Sequence, residues 1–158
     1  MNNILKMKAK RFVMTKELYL KFPRTLREAL VNGIVSFHGV CVEVAFSPIP
    51  VLFRVVQRDG GDLTPINESD FMSYAELGKQ IKGVSGDSID RYSCSMYLNK
   101  DELSRALHLP RKKKYIIVGD VNNTNGVIHR SQNSSHVDVW LYDGSNIQHQ
   151  FRFEGDSK

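Results

Sequence analysis

Cysteine is scarce in this chain: two residues in 158, Cys41 and Cys94. They are too few and too far apart for a zinc site or a disulfide framework. They fit reduced thiols in a cytosolic product, where a free cysteine is most often a small buried hydrophobe. Long apolar runs are also lacking. None approaches the roughly 20 residues that a membrane-spanning helix needs, so no membrane partner is expected. The first residues, Met1-Asn2-Asn3-Ile4-Leu5-Lys6, meet lysine before any apolar stretch develops. No secretory signal peptide is therefore expected, and synthesis in the cytoplasm is. Action elsewhere would need export by a specialised secretion system. Internal repeats and low-complexity segments are absent as well.

What is present is ordinary globular composition, 41% hydrophobic and 25% charged, which excludes wholesale disorder. The length suits one domain over 1–158, with ends over 1–12 and 154–158 expected to be flexible. Acid is outnumbered, 17 Asp and Glu against 22 Lys and Arg. The excess lies in Lys6, Lys8, Lys10, Arg11, Lys16, Lys21, Arg24 and Arg27, and again in Arg111-Lys112-Lys113-Lys114. Such patches suit an anionic partner: nucleic acid, a cell-wall polymer or an acidic protein. A merely solvated basic face explains them equally well.

Patterning predicts an α+β domain with a mixed, helical N-terminal half and a C-terminal antiparallel β-sheet. A 3.6-residue period over 15–32 predicts a helix broken at Pro23 and stopped by Gly33. Alternation over 34–46 predicts a strand, and 51–56 is a second. Residues 69–82 read as a helix capped by Ser69, with Phe71, Tyr74, Leu77 and Ile81 along one face. Tyr92 to Leu98 alternates as a strand that turns Cys94 into the core. Asn99 caps a short helix over 100–107. Lys114 to Val118 is an apolar strand, 120–135 a polar loop, and 136–142 a strand. The turn Asp143-Gly144-Ser145-Asn146 predicts a hairpin between that strand and 148–153.

His136 stands at the first position of its strand, after a long polar loop, where a side chain can face a cleft. Asp138 shares its face, because strand side chains alternate. A histidine and a carboxylate so placed can form a base and its orienter. A surface strand with a polar face is the bland alternative.

These residues carry a resemblance. Lys114-Tyr-Ile-Ile-Val-Gly119, a loop, then Ser135-His-Val-Asp-Val-Trp140 and Asp143-Gly144 resemble the C-terminal motif of the type VI secretion amidase effectors. Those are NlpC-like, papain-fold enzymes that cut peptide bonds in peptidoglycan stem peptides. The resemblance spans the last 75 or so residues. It implies that His136 is the catalytic base and that the chain is a toxin-like effector acting on peptidoglycan. It implies no metal or organic cofactor, and it implies a cognate protein partner such as an immunity or target protein. The family places its nucleophile at a helix start, in a pattern such as Cys-x-x-Arg-Met-Ser. Here Cys41 stands in that part of the chain, followed instead by Val42-Glu43-Val44-Ala45-Phe46-Ser47-Pro48.

The expected mechanism is then a Cys41 thiolate attacking a peptide carbonyl, with His136 moving the proton and Asp138 fixing the imidazole. Two other classes stay open. One is a non-enzymatic inhibitor or interaction protein, such as a phage or mobile-element factor or an inactive relative of the amidases. The other is a basic nucleic-acid-binding module, whose affinity would fall steeply with salt.

Overall fold

A computed structural model of the chain describes residues 12–59, 63–80, 83–106 and 113–155. Two short helices open it, α1 (Lys16–Lys21) and α2 (Arg24–Val31). They are separate because the ring of Pro23 forces Phe22 out of the helical region, to φ −75° and ψ 154°. Thr15 caps α1, its Oγ1 accepting from the Leu18 amide at 3.1 Å. Gly33, at φ +68°, turns the chain away from α2.

Six strands follow: β1 (Ile49–Gln57), β2 (Cys94–Tyr97), β3 (Lys114–Val121), β4 (Gly126–Arg130), β5 (His136–Leu141) and β6 (Phe151–Phe153). They form one antiparallel sheet in the order β4-β5-β2-β1-β3-β6. Helix α3 (Lys100–Ala106) follows β2, capped by Asn99, whose Oδ1 accepts from the Glu102 amide. Helices and an antiparallel sheet make the domain α+β, as patterning predicts. Among the described residues no helix is long and apolar enough to cross a membrane.

The sheet is curled. Strands β3 and β4 are four positions apart in it, about 19 Å if it were flat. Yet a tight turn closed by the Asn125 amide on the Asn122 carbonyl joins them, and its ends lie within about 7 Å. One core cluster accordingly draws side chains from both ends of the sheet: Ile128 of β4, Val137 and Val139 of β5, Met96 of β2, Ile117 of β3 and Phe151 of β6. Alternation turns Trp140 and Val127 to the opposite face, where Phe22, Leu26 and Phe37 close a second cluster over them. Trp140 is wholly buried, edge-on to Phe37 at 5.1 Å, and its indole N–H donates to the Ile89 carbonyl at 3.1 Å.

Four local expectations are corrected. Residues 34–46 are not a strand. Val35 and Phe37 sink into the second cluster, and only Glu43 bridges the sheet, at Ile128 of β4. The helix expected over 69–82 is a single 3-10 turn, Glu68–Phe71, followed by turns; residues 81–82 lie outside the described range. Its cap is Asn67 rather than Ser69, and Asp70 is held by the guanidinium of Arg58 at 2.7 and 2.8 Å. Of the described residues of that expected face, Phe71 reaches the core while Tyr74 and Leu77 are exposed. The polar loop over 120–135 contains β4, whose Val127 and Ile128 are completely buried.

The expected hairpin also fails. β6 pairs with β3, not β5. The reason is Gly119 on β3: a Cβ there would stand 2.3 Å from the Gln150 carbonyl oxygen and 2.6 Å from Phe151 Cγ. The bare backbone lets Phe151 lie directly on β3. The flexible ends expected over 1–12 and 154–158 fall mostly outside the described residues, as do Lys6, Lys8, Lys10, Arg11, Arg111 and Lys112.

Candidate functional site

Pairing of β2 with β5 sets Ser95 opposite Asp138 and Tyr97 opposite His136. Alternation points Ser95, Tyr97, His136 and Asp138 to one face, away from Met96, Val137 and Val139. There the imidazole Nε2 of His136 lies 2.5 Å from Ser95 Oγ and 3.8 Å from Asp138 Oδ1. The ring of Tyr97 meets the imidazole edge-on at 5.1 Å.

Asp138 is buried, and burial pushes its carboxyl above the usual range, against the opposing pull of His136 and of the Ser93 hydroxyl. Ser93 Oγ lies 2.8 Å from Asp138 Oδ1 and 2.9 Å from the Asp90 carbonyl oxygen. Its one proton serves a single acceptor at a time. When Ser93 donates to Asp90, a protonated Asp138 can donate to Ser93, an arrangement that suits a raised carboxyl.

The segment entering β5 is clamped. Ser135 donates its amide to both carboxylate oxygens of Glu102, its Oγ accepts from the Asn99 amide, and its carbonyl accepts from the Leu98 amide. His136 thus starts its strand from a point tied to α3 and to the end of β2.

Strands β1 and β2 pair only at Phe53 and Tyr97 and then diverge. Arg54 fills part of the gap, donating Nη1 to the Ser95 carbonyl and Nε to the Asp70 carbonyl, each at 2.8 Å. Beside it opens a cleft of about 600 Å³, with Ser93, Ser95 and Tyr97 on its β2 wall and Gln57 on its β1 wall. Ser95 therefore touches both the imidazole and the cleft.

The chain was compared with known family models, curated proteins and solved structures, and nothing matches it in any of the three. Its chemistry must be read from its own geometry.

Of the three residues singled out by sequence, the structure brings two together, His136 and Asp138. Cys41 stands apart from them. It is exposed in an irregular loop, on the wall of a groove of about 780 Å³ lined also by Tyr19, Leu30, Phe37 and His38. Neither His136 nor Asp138 lines that groove. The Cys41 carbonyl meets Nδ1 of His129 on β4 at 3.0 Å, and no hydrogen bond joins Cys41 to His136. The second thiol, Cys94, is buried in the core, where desolvation pushes its pKa up. Among the described residues no group of acidic, histidine and cysteine side chains could hold a metal ion.

Sequence reasoning missed Ser93 and Ser95. The signal was there, in the polar face that Ser93, Ser95 and Tyr97 present opposite Cys94 and Met96. What was missing was the partner strand, because nothing local says that β2 lies against β5.

Proposed function

We propose that the chain is a hydrolase in which His136 is the general base and Ser95, rather than Cys41, is the nucleophile it activates. The observation that carries this reading is the 2.5 Å contact of His136 Nε2, which lies behind the cleft wall, with Oγ of Ser95, which lines it. A nucleophile and a base within hydrogen-bond reach are the common element of acyl-transfer sites. With the ring proton on Nδ1, Nε2 accepts the serine proton as Oγ attacks a carbonyl carbon. The same nitrogen then protonates the leaving amine or alcohol, and a water deprotonated by His136 releases the acyl group. In its ionised form Asp138, 3.8 Å from Nε2, lowers the energy of the imidazolium formed in between.

The motif around His136 supports an amide in a peptidoglycan stem peptide as the substrate. On that reading the chain is a toxin-like effector with a cognate immunity protein, and a papain-like descent would be its wider relationship. The test is digestion of peptidoglycan sacculi by the wild type and by Ser95→Ala, His136→Ala and Cys41→Ala, with a fluorophosphonate probe for an activated serine. Stem peptides released by all but Ser95→Ala and His136→Ala support the proposal. Loss in Cys41→Ala with retention in Ser95→Ala moves the nucleophile to the thiol.

One observation favours a second reading, a non-enzymatic interaction protein. Ser95 and Asp138 both stand at Nε2 of His136, whereas a relay uses one ring nitrogen for each neighbour. A polar network of this kind can simply fix one face of the sheet. No product and no probe labelling, with a folded protein, would favour it.

A further inference from the structure

We propose that the cleft between the diverging halves of β1 and β2 is a binding site for a small ligand carrying an oxyanion, a carboxylate or a phosphate. Its walls carry three cations, Arg54, Lys79 and Lys114, and one carboxylate, Asp70. That carboxylate is already neutralised. Arg58 grips it with both terminal nitrogens, at 2.7 and 2.8 Å, and the pair is buried. The cations are not spent in the same way. Among the described residues neither Lys79 nor Lys114 has a carboxylate partner, and Arg54 gives Nε and Nη1 to backbone carbonyls while Nη2 makes no hydrogen bond. A concavity lined by unpaired charge of one sign concentrates ligands of the other.

Two further features fit a small molecule. The volume, about 600 Å³, is that of ordinary ligand sites, which run from roughly 300 to 1,000 Å³. The rim also offers apolar area, in the exposed Tyr74 and Leu77. Lys79 is held in place by its carbonyl, which accepts from Arg91 Nε and Nη2 at 3.3 and 3.2 Å. Lys114 is held by the pairing of its backbone with Gln57. The ligand would therefore join an anionic group to an apolar or aromatic one.

The inference stands whether or not Ser95 is a nucleophile. It is tested by titrating the ¹⁵N-labelled full chain with N-acetylphenylalanine, with its uncharged amide, and with inorganic phosphate. The expected result is saturable shifts at the amides of Gln57, Tyr74 and Ser95 with the carboxylate and not with the amide. Lys79→Ala combined with Lys114→Ala should weaken binding about tenfold or more, as loss of charge-assisted hydrogen bonds requires. Tighter binding of phosphate at the same amides identifies phosphate as the oxyanion. Equal binding of the uncharged amide, an unchanged affinity in the double variant, or no shift with either anion overturns the proposal. His136→Ala separates this site from the proposed hydrolysis: it removes turnover, while the carboxylate affinity read at the amides of Gln57 and Tyr74 is kept.

Discussion

Glu102 accepts the amide of Ser135 on both carboxylate oxygens, at 3.1 and 3.0 Å, and so ties α3 to the residue that precedes His136. The hydrogen bonds from Ser135 hold the Glu102 carboxyl below its usual range. A depressed carboxyl stabilises the fold above its unfolded-state value and loses that contribution as pH falls through the folded-state value. Glu102→Gln should therefore cost stability at neutral pH, and the difference from wild type should vanish under acid conditions. Denaturant midpoints of the two proteins from pH 7 to pH 2 check this. A difference that persists at the acid end means that the carboxylate charge is not what holds Ser135.

The two thiols should differ sharply in reactivity. Cys41 is exposed and Cys94 buried, with desolvation raising the Cys94 pKa. Since the thiolate is the reactive form, iodoacetamide near neutral pH should alkylate one cysteine per native chain and two in denaturant. Peptide mapping should find the first label on Cys41. Native labelling of Cys94 would mean that β2 opens readily, and with it the wall that carries Ser95.

The parts of this fold that sequence predicted are those set by local rules. Pro23 separates α1 from α2, Asn99 caps α3, and alternation over 136–141 gives β5 and places His136 and Asp138 on one face. The parts it missed depend on residues distant in the chain. Val40, Val42 and Val44 alternate as a strand should, yet only Glu43 between them pairs, with Ile128 on the outer edge of β4, while Val40 and Val42 pack against the second cluster instead. Phe71, Tyr74 and Leu77 are spaced for a helix, but Arg58 captures Asp70 and fixes a 3-10 turn instead. Ser95 is unremarkable until β2 is laid beside β5. Half of the candidate site was thus legible and half was not, for one reason: His136 and Asp138 lie on one strand, while Ser95 and Ser93 reach them across a pairing of some 40 residues' separation.

Asp138 should leave its mark on the pH dependence of stability, with the sign opposite to that of Glu102. Its carboxyl is raised by burial, so the folded state binds more protons than the unfolded one between the unfolded and folded values. Stability from this group is largest below the unfolded value, about 3.9, and falls as pH rises through the raised one. Asparagine cannot ionise and escapes that loss. Asp138→Asn should thus gain on the wild type as pH rises above the unfolded value, in paired thermal or denaturant melts. A flat difference, or one that favours the wild type more at pH 7, contradicts the burial argument.

Gly119 should tolerate no side chain. The Cβ of alanine would meet the Gln150 carbonyl at 2.3 Å and the Phe151 ring at 2.6 to 2.7 Å. Backbone cannot yield as a flexible side chain would, so either β6 leaves β3 or the register shifts. Overpacking of this kind costs about 1–3 kcal/mol. Gly119→Ala should lower the denaturant midpoint accordingly and free the amides of β6 to exchange. Gly144→Ala, where no atom stands within 4 Å but φ is +70°, separates steric conflict from backbone strain. It should cost about 1 kcal/mol, the left-handed penalty alone, and leave β6 protected.

Arg58 and Asp70 form the buried pair that sets the path of 64–72, and that path bounds the cleft. The guanidinium also donates to the carbonyls of Thr64, Gln57 and Pro65, so with the two bonds to Asp70 all five of its N–H groups are used. Removing one partner strands the other's charge in a site only 7–8% exposed. Arg58→Ala should therefore destabilise by about 3–5 kcal/mol. Asp70→Asn should cost less, because the amide oxygen still accepts one guanidinium bond. A double-mutant cycle measures the coupling directly. If the coupling is near zero, the backbone bonds from Arg58, rather than its charge on Asp70, hold this wall of the cleft.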